Sequence, residues 1–158
     1  MTIKVGDTIP ACTLKTPGET KPADITTAQL FDGKKVVLFA VPGAYTPGCS
    51  NTHLPGFIVH ADEIKAKGVD TIACLAVNDA FVLGAWSKTH NAEELLMIAD
   101  GNGELTRKLG LELDASGFGL GMRSKRFAMI VDNGVVKYLG IDSSEIKDSA
   151  AEAVLAHL

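Results

Sequence analysis

The sequence predicts an α/β fold in which buried strands alternate with amphipathic helices. Two apolar runs, residues 36–41 and 70–77, have the length and composition of buried strands. Each is followed by a segment with apolar residues at helical spacing, so we expect a parallel pair joined by a crossover. Asn133-Gly134, flanked by two further apolar runs, predicts a β-hairpin near the C-terminus.

The remaining elements follow from local signals along the chain. A short strand is expected over residues 9–14, and its Cys12 is interpreted as a packed small hydrophobe. The segment after Cys49, residues 50–67, has helical spacing, and Pro55 should kink this helix or end its first turns. The other predicted elements are a short helix at 27–31, a helix opened by Asn78-Asp79, a strand at 95–99, a helix at 104–109, a glycine-containing loop at 111–125, the hairpin at 126–139 and a closing helix at 144–158.

Length and charge limit the class of protein. A chain of 158 residues suits one domain, residues 1–158, with neither repeats nor linkers. The net charge of −4, with acidic and basic residues interspersed, gives no footprint for binding nucleic acid or an anionic membrane. The mixed N-terminal segment does not resemble a signal peptide, and no long apolar span is present, so a cytoplasmic location is expected.

The three cysteines, Cys12, Cys49 and Cys74, are typical of free thiols. They form neither a C-x-x-C pair nor a zinc-ligand spacing, and an odd number argues against a disulfide framework. This pattern predicts neither a metal site nor a thioredoxin-type disulfide reductase. We therefore expect reduced cysteines in a reducing compartment.

Cys49 lies where a buried strand gives way to a helix. The first turn of a helix has unpaired N–H groups and the positive end of the helix dipole, and both favour a thiolate over a thiol. Pro47 suits the first position of that helix because its ring fixes φ near the helical value. Thr46 is expected either to cap the helix or to offer its hydroxyl to a ligand beside the sulfur.

The spacing P-x-x-x-T-x-x-C, formed by Pro42, Thr46 and Cys49, resembles the active-site signature of the peroxiredoxins. A second landmark is Arg126, which directly precedes F-x-M-I-V-D and resembles the arginine that faces the active-site cysteine in that family. The resemblance extends over nearly the whole chain and is to the type II, or peroxiredoxin-5-like, subfamily.

The resemblance implies a thioredoxin-like fold, with a central mixed sheet flanked by helices and an N-terminal strand extension. It also implies a thiol-dependent peroxidase that reduces hydrogen peroxide and alkyl hydroperoxides, for cell redox homeostasis and antioxidant defence. Such enzymes are typically homodimers without a metal or an organic cofactor. By the same resemblance, Pro42, Thr46, Cys49 and Arg126 are the catalytic residues. The resemblance does not assign a catalytic role to Arg123, which is left as a candidate supporting partner.

Ionisation of the cysteine is only part of what such a site must achieve. A cysteine thiol with an ordinary pKa of about 8.5 is ~3% thiolate at neutral pH, so complete ionisation gains about thirtyfold, or ~2 kcal/mol. Enzymes typically remove about 8 kcal/mol or more from the barrier. We expect the rest from donors aimed at the peroxide, namely the Thr46 hydroxyl, the N–H groups of Gly48 and Cys49, and the Arg126 guanidinium.

Regeneration of an oxidised Cys49 has two candidate routes. By resemblance to plant type II peroxiredoxins, Cys74 is the candidate resolving thiol. However, Cys74 lies within a buried-strand run, and a disulfide requires the two Cα atoms to be within about 7 Å. We therefore favour an external thiol, such as glutathione, glutaredoxin or thioredoxin. The resolving cysteine found near the C-terminus of related animal enzymes is missing here, because residues 150–155 contain no cysteine.

Alternatives to a peroxidase site find less support in the sequence. A cysteine phosphatase would need an arginine six residues after Cys49, where Pro55 stands. Residues 117–121 lack the full nucleotide-binding glycine pattern and are interpreted as a flexible loop near the site. His53 is either a base or local cation, or a hydrogen-bonded histidine at a pocket rim or dimer surface. The alternative function is a non-enzymatic thiol redox sensor on the same fold.

Overall fold

The computed structural model describes residues 2–158, which form nine strands and six α-helices. The strands are β1 (Thr13–Thr16), β2 (Ala23–Thr26), β3 (Lys35–Val41), β4 (Thr71–Ala76), β5 (Leu96–Ala99), β6 (Glu112–Asp114), β7 (Met122–Ser124), β8 (Arg126–Asp132) and β9 (Val135–Asp142). The α-helices are α1 (Thr27–Phe31), α2 (Leu54–Val59), α3 (Ala61–Ala66), α4 (Ala80–Thr89), α5 (Glu104–Leu109) and α6 (Ala151–Ala156). A π-helical turn (Cys49–His53) and a 3₁₀ turn (Ser116–Phe118) complete the secondary structure of these residues.

Seven of the strands form one mixed sheet in the order β2-β1-β5-β4-β3-β8-β9. The central strands β3, β4 and β5 are parallel, which confirms the predicted crossover connection. Strands β8 and β9 are antiparallel additions beside β3, and the β1–β2 hairpin extends the other edge through an antiparallel contact with β5. The fold is therefore the expected thioredoxin-like sheet with an N-terminal strand extension.

Helices cover both faces of the sheet, which explains why its central strands are apolar throughout. Alternate residues of β3 point to opposite faces. Val37, Phe39 and Val41 pack in the cluster that includes α2, α3, α4 and α6, whereas Val36, Leu38 and Ala40 pack in the cluster that includes α1 and α5. Within residues 2–158, no helix has both the length and the apolar character needed to cross a membrane.

The helix that follows β3 is divided into three parts. It begins at Pro47, as predicted, and the Leu54 N–H then donates to the Cys49 carbonyl five residues back, which is the wider π spacing. Pro55 falls in the first turn of α2, directly after this π turn. This position agrees with the prediction that Pro55 ends the first turns of the helix. The further break at His60, between α2 and α3, was not predicted.

The N-terminal strand differs from its prediction in position. Strand β1 begins at Thr13 rather than at residue 9, so Cys12 precedes it. The Cys12 N–H donates to Thr27 Oγ1 at 3.0 Å, and its carbonyl accepts from the Thr27 N–H at 2.9 Å. These bonds tie Cys12 to α1 instead of to a neighbouring strand. Its side chain is buried in an apolar cluster, which confirms the interpretation as a packed hydrophobe.

Three other segments depart from the prediction. Strand β2 lies before α1, where no element was predicted, and the glycine-containing segment 111–125, predicted as a loop, contains the β6–β7 hairpin. The closing helix begins at Ala151 rather than at residue 144. Before this helix, the Asp142 carboxylate accepts hydrogen bonds from the backbone N–H groups of residues 147, 148 and 149. These bonds hold the segment between β9 and α6 in a non-helical loop.

Candidate active site

Cys49 lies directly beyond the C-terminal end of β3, in the first turns of the following helix. The Ser50 N–H donates to the Thr46 carbonyl at 2.9 Å, so the helical hydrogen bonds begin at Thr46. In the described part of the chain, the N–H groups of Gly48 and Cys49 have no hydrogen-bond partner. Two free donors therefore flank a buried sulfur, as the sequence predicted for the start of a helix.

Thr46 uses its hydroxyl differently from the predicted helix cap. The hydroxyl donates to the Gly43 carbonyl at 2.7 Å and makes no capping bond to the helix. Because its hydrogen is used in this way, the oxygen of Thr46 presents its lone pairs to the surroundings. The capping alternative is therefore wrong, and so is the expectation that this hydroxyl donates to the peroxide. The Thr46 oxygen is instead left to accept a hydrogen bond from a ligand.

Two side chains from elsewhere in the chain hold the loop between β3 and the helix. Arg123, in β7, donates from Nη1 to the Pro42 carbonyl at 3.4 Å, and Asn78 accepts from the Ala44 N–H at 3.0 Å. The hydrogen bond from Arg123 to the Pro42 carbonyl agrees with the supporting role expected for Arg123. Asn78 was predicted only to help open α4, because a loop contact 34 residues away leaves no local signal in the sequence.

Arg126 reaches Cys49 from the neighbouring strand. Phe127 pairs with Ala40 in the β8–β3 register, so Arg126 lies level with the end of β3. Its Nη2 donates to the Cys49 sulfur at 3.3 Å. Gly48 allows this approach, because a Cβ at that position would lie 3.1 Å from Nη2. A guanidinium only donates, so the Cys49 sulfur is the acceptor in this contact.

His53 lies behind the guanidinium and is buried. Arg126 Nη1 donates to His53 Nδ1 at 3.0 Å, and the other ring nitrogen, Nε2, lies 2.8 Å from the Ser149 carbonyl. Since a guanidinium cannot accept, Nδ1 is the acceptor, and Nε2–H donates to Ser149. The ring also lies beside Phe39 and Phe57, with centroid distances of 5.1 and 5.6 Å.

The pKa of His53 is lowered to about 4, chiefly by burial and to a smaller extent by the nearby Arg126 charge, against the raising effects of the Ser149 hydrogen bond and the Asp142 charge. The imidazole is therefore neutral at neutral pH. The local-cation alternative is therefore wrong. The histidine is hydrogen-bonded, as the other alternative expected, but it is buried in the interior and does not lie at a pocket rim. The Ser149 carbonyl that fixes this ring could not be found from the sequence, because it is a backbone group 96 residues away.

Cys74 is fully buried in the middle of the sheet. It lies in β4, where its neighbours across the sheet are Phe39 and Met97. Burial raises the pKa of the Cys74 thiol well above its ordinary value, and the nearby Cys49 adds to this effect. All three cysteines are free thiols, and Cys49 and Cys74 belong to the same apolar cluster. A thiol of raised pKa in this setting is a weak nucleophile.

A mixed sheet of this topology, with a buried cysteine at a helix start and an arginine on its sulfur, defines a thioredoxin-like protein with a thiol redox site. Comparison with known proteins identifies the family. The Redoxin family profile matches residues 4–155. The chloroplastic peroxiredoxin-2E-2 of Oryza sativa subsp. japonica is 49% identical over 164 aligned residues, which cover 99% of this chain and 73% of that protein.

Two solved structures show the same similarity. Reduced Prx3 of Vibrio vulnificus in complex with H₂O₂ is 53% identical, with a TM-score of 0.94 and 98% of each chain covered. Peroxiredoxin 5 of Alvinella pompejana is 38% identical, with a TM-score of 0.87, covering 98% of this chain and 97% of that one. The chain belongs to the peroxiredoxins, of the type II or peroxiredoxin-5-like kind, and is a thiol-dependent peroxidase with an antioxidant function.

These relatives do not favour the alternative of a non-enzymatic redox sensor. The cytoplasmic location stays a prediction. The rice relative is named as chloroplastic.

Proposed function

We propose that Cys49 is the peroxidatic cysteine. Its thiolate attacks the terminal oxygen of a peroxide, so that an S–O bond forms as the O–O bond breaks. Cys49 becomes a sulfenic acid, and the departing alkoxide or hydroxide takes up a proton to leave as alcohol or water. The observation that carries this proposal is the 3.3 Å contact between Arg126 Nη2 and the Cys49 sulfur.

Each group around the sulfur has a role in this step. Negative charge moves from sulfur to the departing oxygen, so fixed donors near both atoms stabilise the transition state more than the bound peroxide. Arg126 and the free N–H groups of Gly48 and Cys49 supply those donors. The Thr46 oxygen, whose hydrogen is held by Gly43, accepts from the peroxide O–H and orients the peroxide.

Burial of the sulfur supports small peroxides as substrates. Cys49 is 0% exposed, whereas Pro42, Thr46 and Gly48 around it are half-buried. We propose that the terminal oxygen of a peroxide approaches the sulfur from this side while an alkyl group stays outside. We propose hydrogen peroxide and alkyl hydroperoxides as the substrate class.

The Cys49→Ser variant tests the site assignment. A serine hydroxyl is not a nucleophile toward peroxide under these conditions, so we expect peroxide consumption to fall to the uncatalysed rate. Peroxide loss is measured with dithiothreitol as reductant. The matched control, Cys12→Ala, removes a buried thiol far from the site's hydrogen bonds and should keep wild-type turnover. Full activity of Cys49→Ser would overturn the assignment.

We propose that an external thiol regenerates Cys49, with glutathione, glutaredoxin and thioredoxin as the candidate reductants. The first thiol attacks the sulfenic sulfur, releasing water and forming a mixed disulfide. A second thiol then frees Cys49 and leaves as the external disulfide. The complete burial of Cys74 and the raised pKa of its thiol support this route over an internal disulfide, which would require β4 or the Cys49 helix to move.

The Cys74→Ala variant tests this route without burying an unpaired hydroxyl. We expect it to keep most turnover, within about twofold of wild type, when the true external reductant is present. Turnover is compared with glutathione and glutaredoxin against thioredoxin and its reductase, which also identifies the reductant. Loss of turnover with every reductant, together with a wild-type mass 2 Da lower after one equivalent of peroxide, would make Cys74 the resolving thiol.

We also propose a homodimer, supported by exposed apolar side chains on segments next to the active-site loop. Tyr45, Phe81 and Phe118 are 52%, 73% and 88% exposed. Large exposed apolar side chains of this kind are typical of protein–protein contacts. Sedimentation velocity of the reduced protein should give twice the mass of one chain, and Phe81→Asp with Phe118→Asp should lower it. A single-chain mass at micromolar concentration would contradict the dimer.

A further inference from the structure

A loop after the last strand lies against the back of the active site. Strand β9 ends at Asp142, which pairs with Arg126 at the start of β8. Residues 142–149, here called the strap, then lead to α6 without forming a helix. The strap ends at Ser149, whose carbonyl accepts from His53. It thus connects the strand that pairs with Arg126 to the histidine that contacts Arg126.

The Asp142 carboxylate holds the strap in this shape. Oδ2 accepts from the Ser149 N–H at 2.8 Å, the Ser149 hydroxyl at 2.6 Å and the Lys147 N–H at 2.8 Å, and Oδ1 accepts from the Asp148 N–H at 3.1 Å. Burial raises the pKa of Asp142, but these donors outweigh burial and lower the pKa below its ordinary value. Two of the four bonds go to Ser149, the residue that touches His53.

Strand β9 provides two further constraints on the strap. The Tyr138 hydroxyl donates to the Asp148 carbonyl at 2.6 Å. Gly140 leaves room for that carbonyl, because a Cβ at residue 140 would lie 2.1 Å from the oxygen. On its other side the strap approaches the Cys49 helix, since a Cβ at Gly48 would lie 3.9 Å from Ile146 Cδ1. The strap therefore lies between β9, which holds it by a hydrogen bond, and the Cys49 helix.

The Ser149 carbonyl controls which nitrogen of His53 carries the proton. A carbonyl oxygen only accepts, so it selects the Nε2–H tautomer and leaves the Nδ1 lone pair facing Arg126. The guanidinium then divides its donors, with Nη1 on His53 and Nη2 on Cys49. Moving the carbonyl would weaken the preference for this tautomer, which the guanidinium alone would then support, and would release the ring that orients the guanidinium.

We propose that Asp142 is a positioning residue for the peroxidase reaction. By fixing the Ser149 carbonyl, it fixes the tautomer of His53, and through His53 it directs the Arg126 guanidinium to the Cys49 sulfur. This inference rests on the proposed role of Cys49. It adds a residue that touches neither the peroxide nor the sulfur, and it assigns a function to the non-helical strap.

The Asp142→Asn variant tests the proposal, because an amide has one acceptor oxygen in place of two and brings donors toward the strap N–H groups. We expect the rate constant for oxidation of Cys49 by hydrogen peroxide to fall by about tenfold or more. We also expect the ¹⁵N shifts of the His53 ring to move from the Nε2–H pattern toward a mixture of tautomers. Asp148→Asn is the matched control, since its side chain makes no hydrogen bond in the described residues, and it should leave both readouts unchanged.

Two outcomes for Asp142→Asn would overturn the proposal. One is a wild-type oxidation rate, and the other is a reduced rate with the His53 shifts of the wild type, which would indicate a merely structural role. If this variant does not fold, Ser149→Ala decides in its place. It removes only the hydroxyl bond to Asp142, and we expect a smaller change in the same two readouts, so unchanged values would overturn the proposal.

Failure of this inference can be told apart from failure of the proposed function. A wild-type protein that does not consume peroxide would refute the role of Cys49. The His53 tautomer in wild type, Asp142→Asn and Asp148→Asn would still decide whether Asp142 acts on the histidine, because the NMR measurement does not depend on turnover.

Discussion

The contact between the Arg126 guanidinium and the Cys49 sulfur is the constraint on which the rest of the site depends. Sheet topology makes it achievable. Because β8 runs antiparallel to β3, its first residue lies where β3 ends, at the edge from which the Cys49 helix starts. Strand β9 returns to the same edge, so that Asp142 pairs with Arg126. Residues far apart in sequence therefore meet because antiparallel strands were added beside a parallel core.

Energetics explain why the site needs more than an ionised sulfur. Complete ionisation of an ordinary thiol gains only ~2 kcal/mol at neutral pH, whereas a single preorganised donor at a developing charge is worth about 3 to 4 kcal/mol. In the proposed reaction the guanidinium serves both purposes, since it donates to the sulfur and toward the departing oxygen. A neutral His53 behind it adds an acceptor without a second positive charge, which burial ensures by lowering the histidine pKa to about 4.

The sequence predicted the parts of this structure that leave local signals. Apolar runs predicted β3 and β4, Asn133-Gly134 predicted the hairpin, and Pro47 predicted the helix start. Each of these elements depends on residues that are neighbours in the sequence. The resemblance of the Pro42–Cys49 spacing and of Arg126 to a known family predicted the long-range contact between Arg126 and Cys49. The π turn, the break at His60 and the strap were not predicted. They depend on tertiary hydrogen bonds, such as those that Asp142 makes, and such bonds have no period in the sequence.

The most direct test of the central contact is the rate at which hydrogen peroxide oxidises Cys49 in Arg126→Lys. An ammonium keeps the charge but lacks the planar fork that reaches both the sulfur and His53. The single tryptophan, Trp86, reports the reaction by stopped-flow fluorescence, since its Nε1 donates to Ser50 Oγ beside Cys49. The account predicts a second-order rate constant lower by about a hundredfold or more. A folded variant that reacts within twofold of the wild-type rate would contradict it.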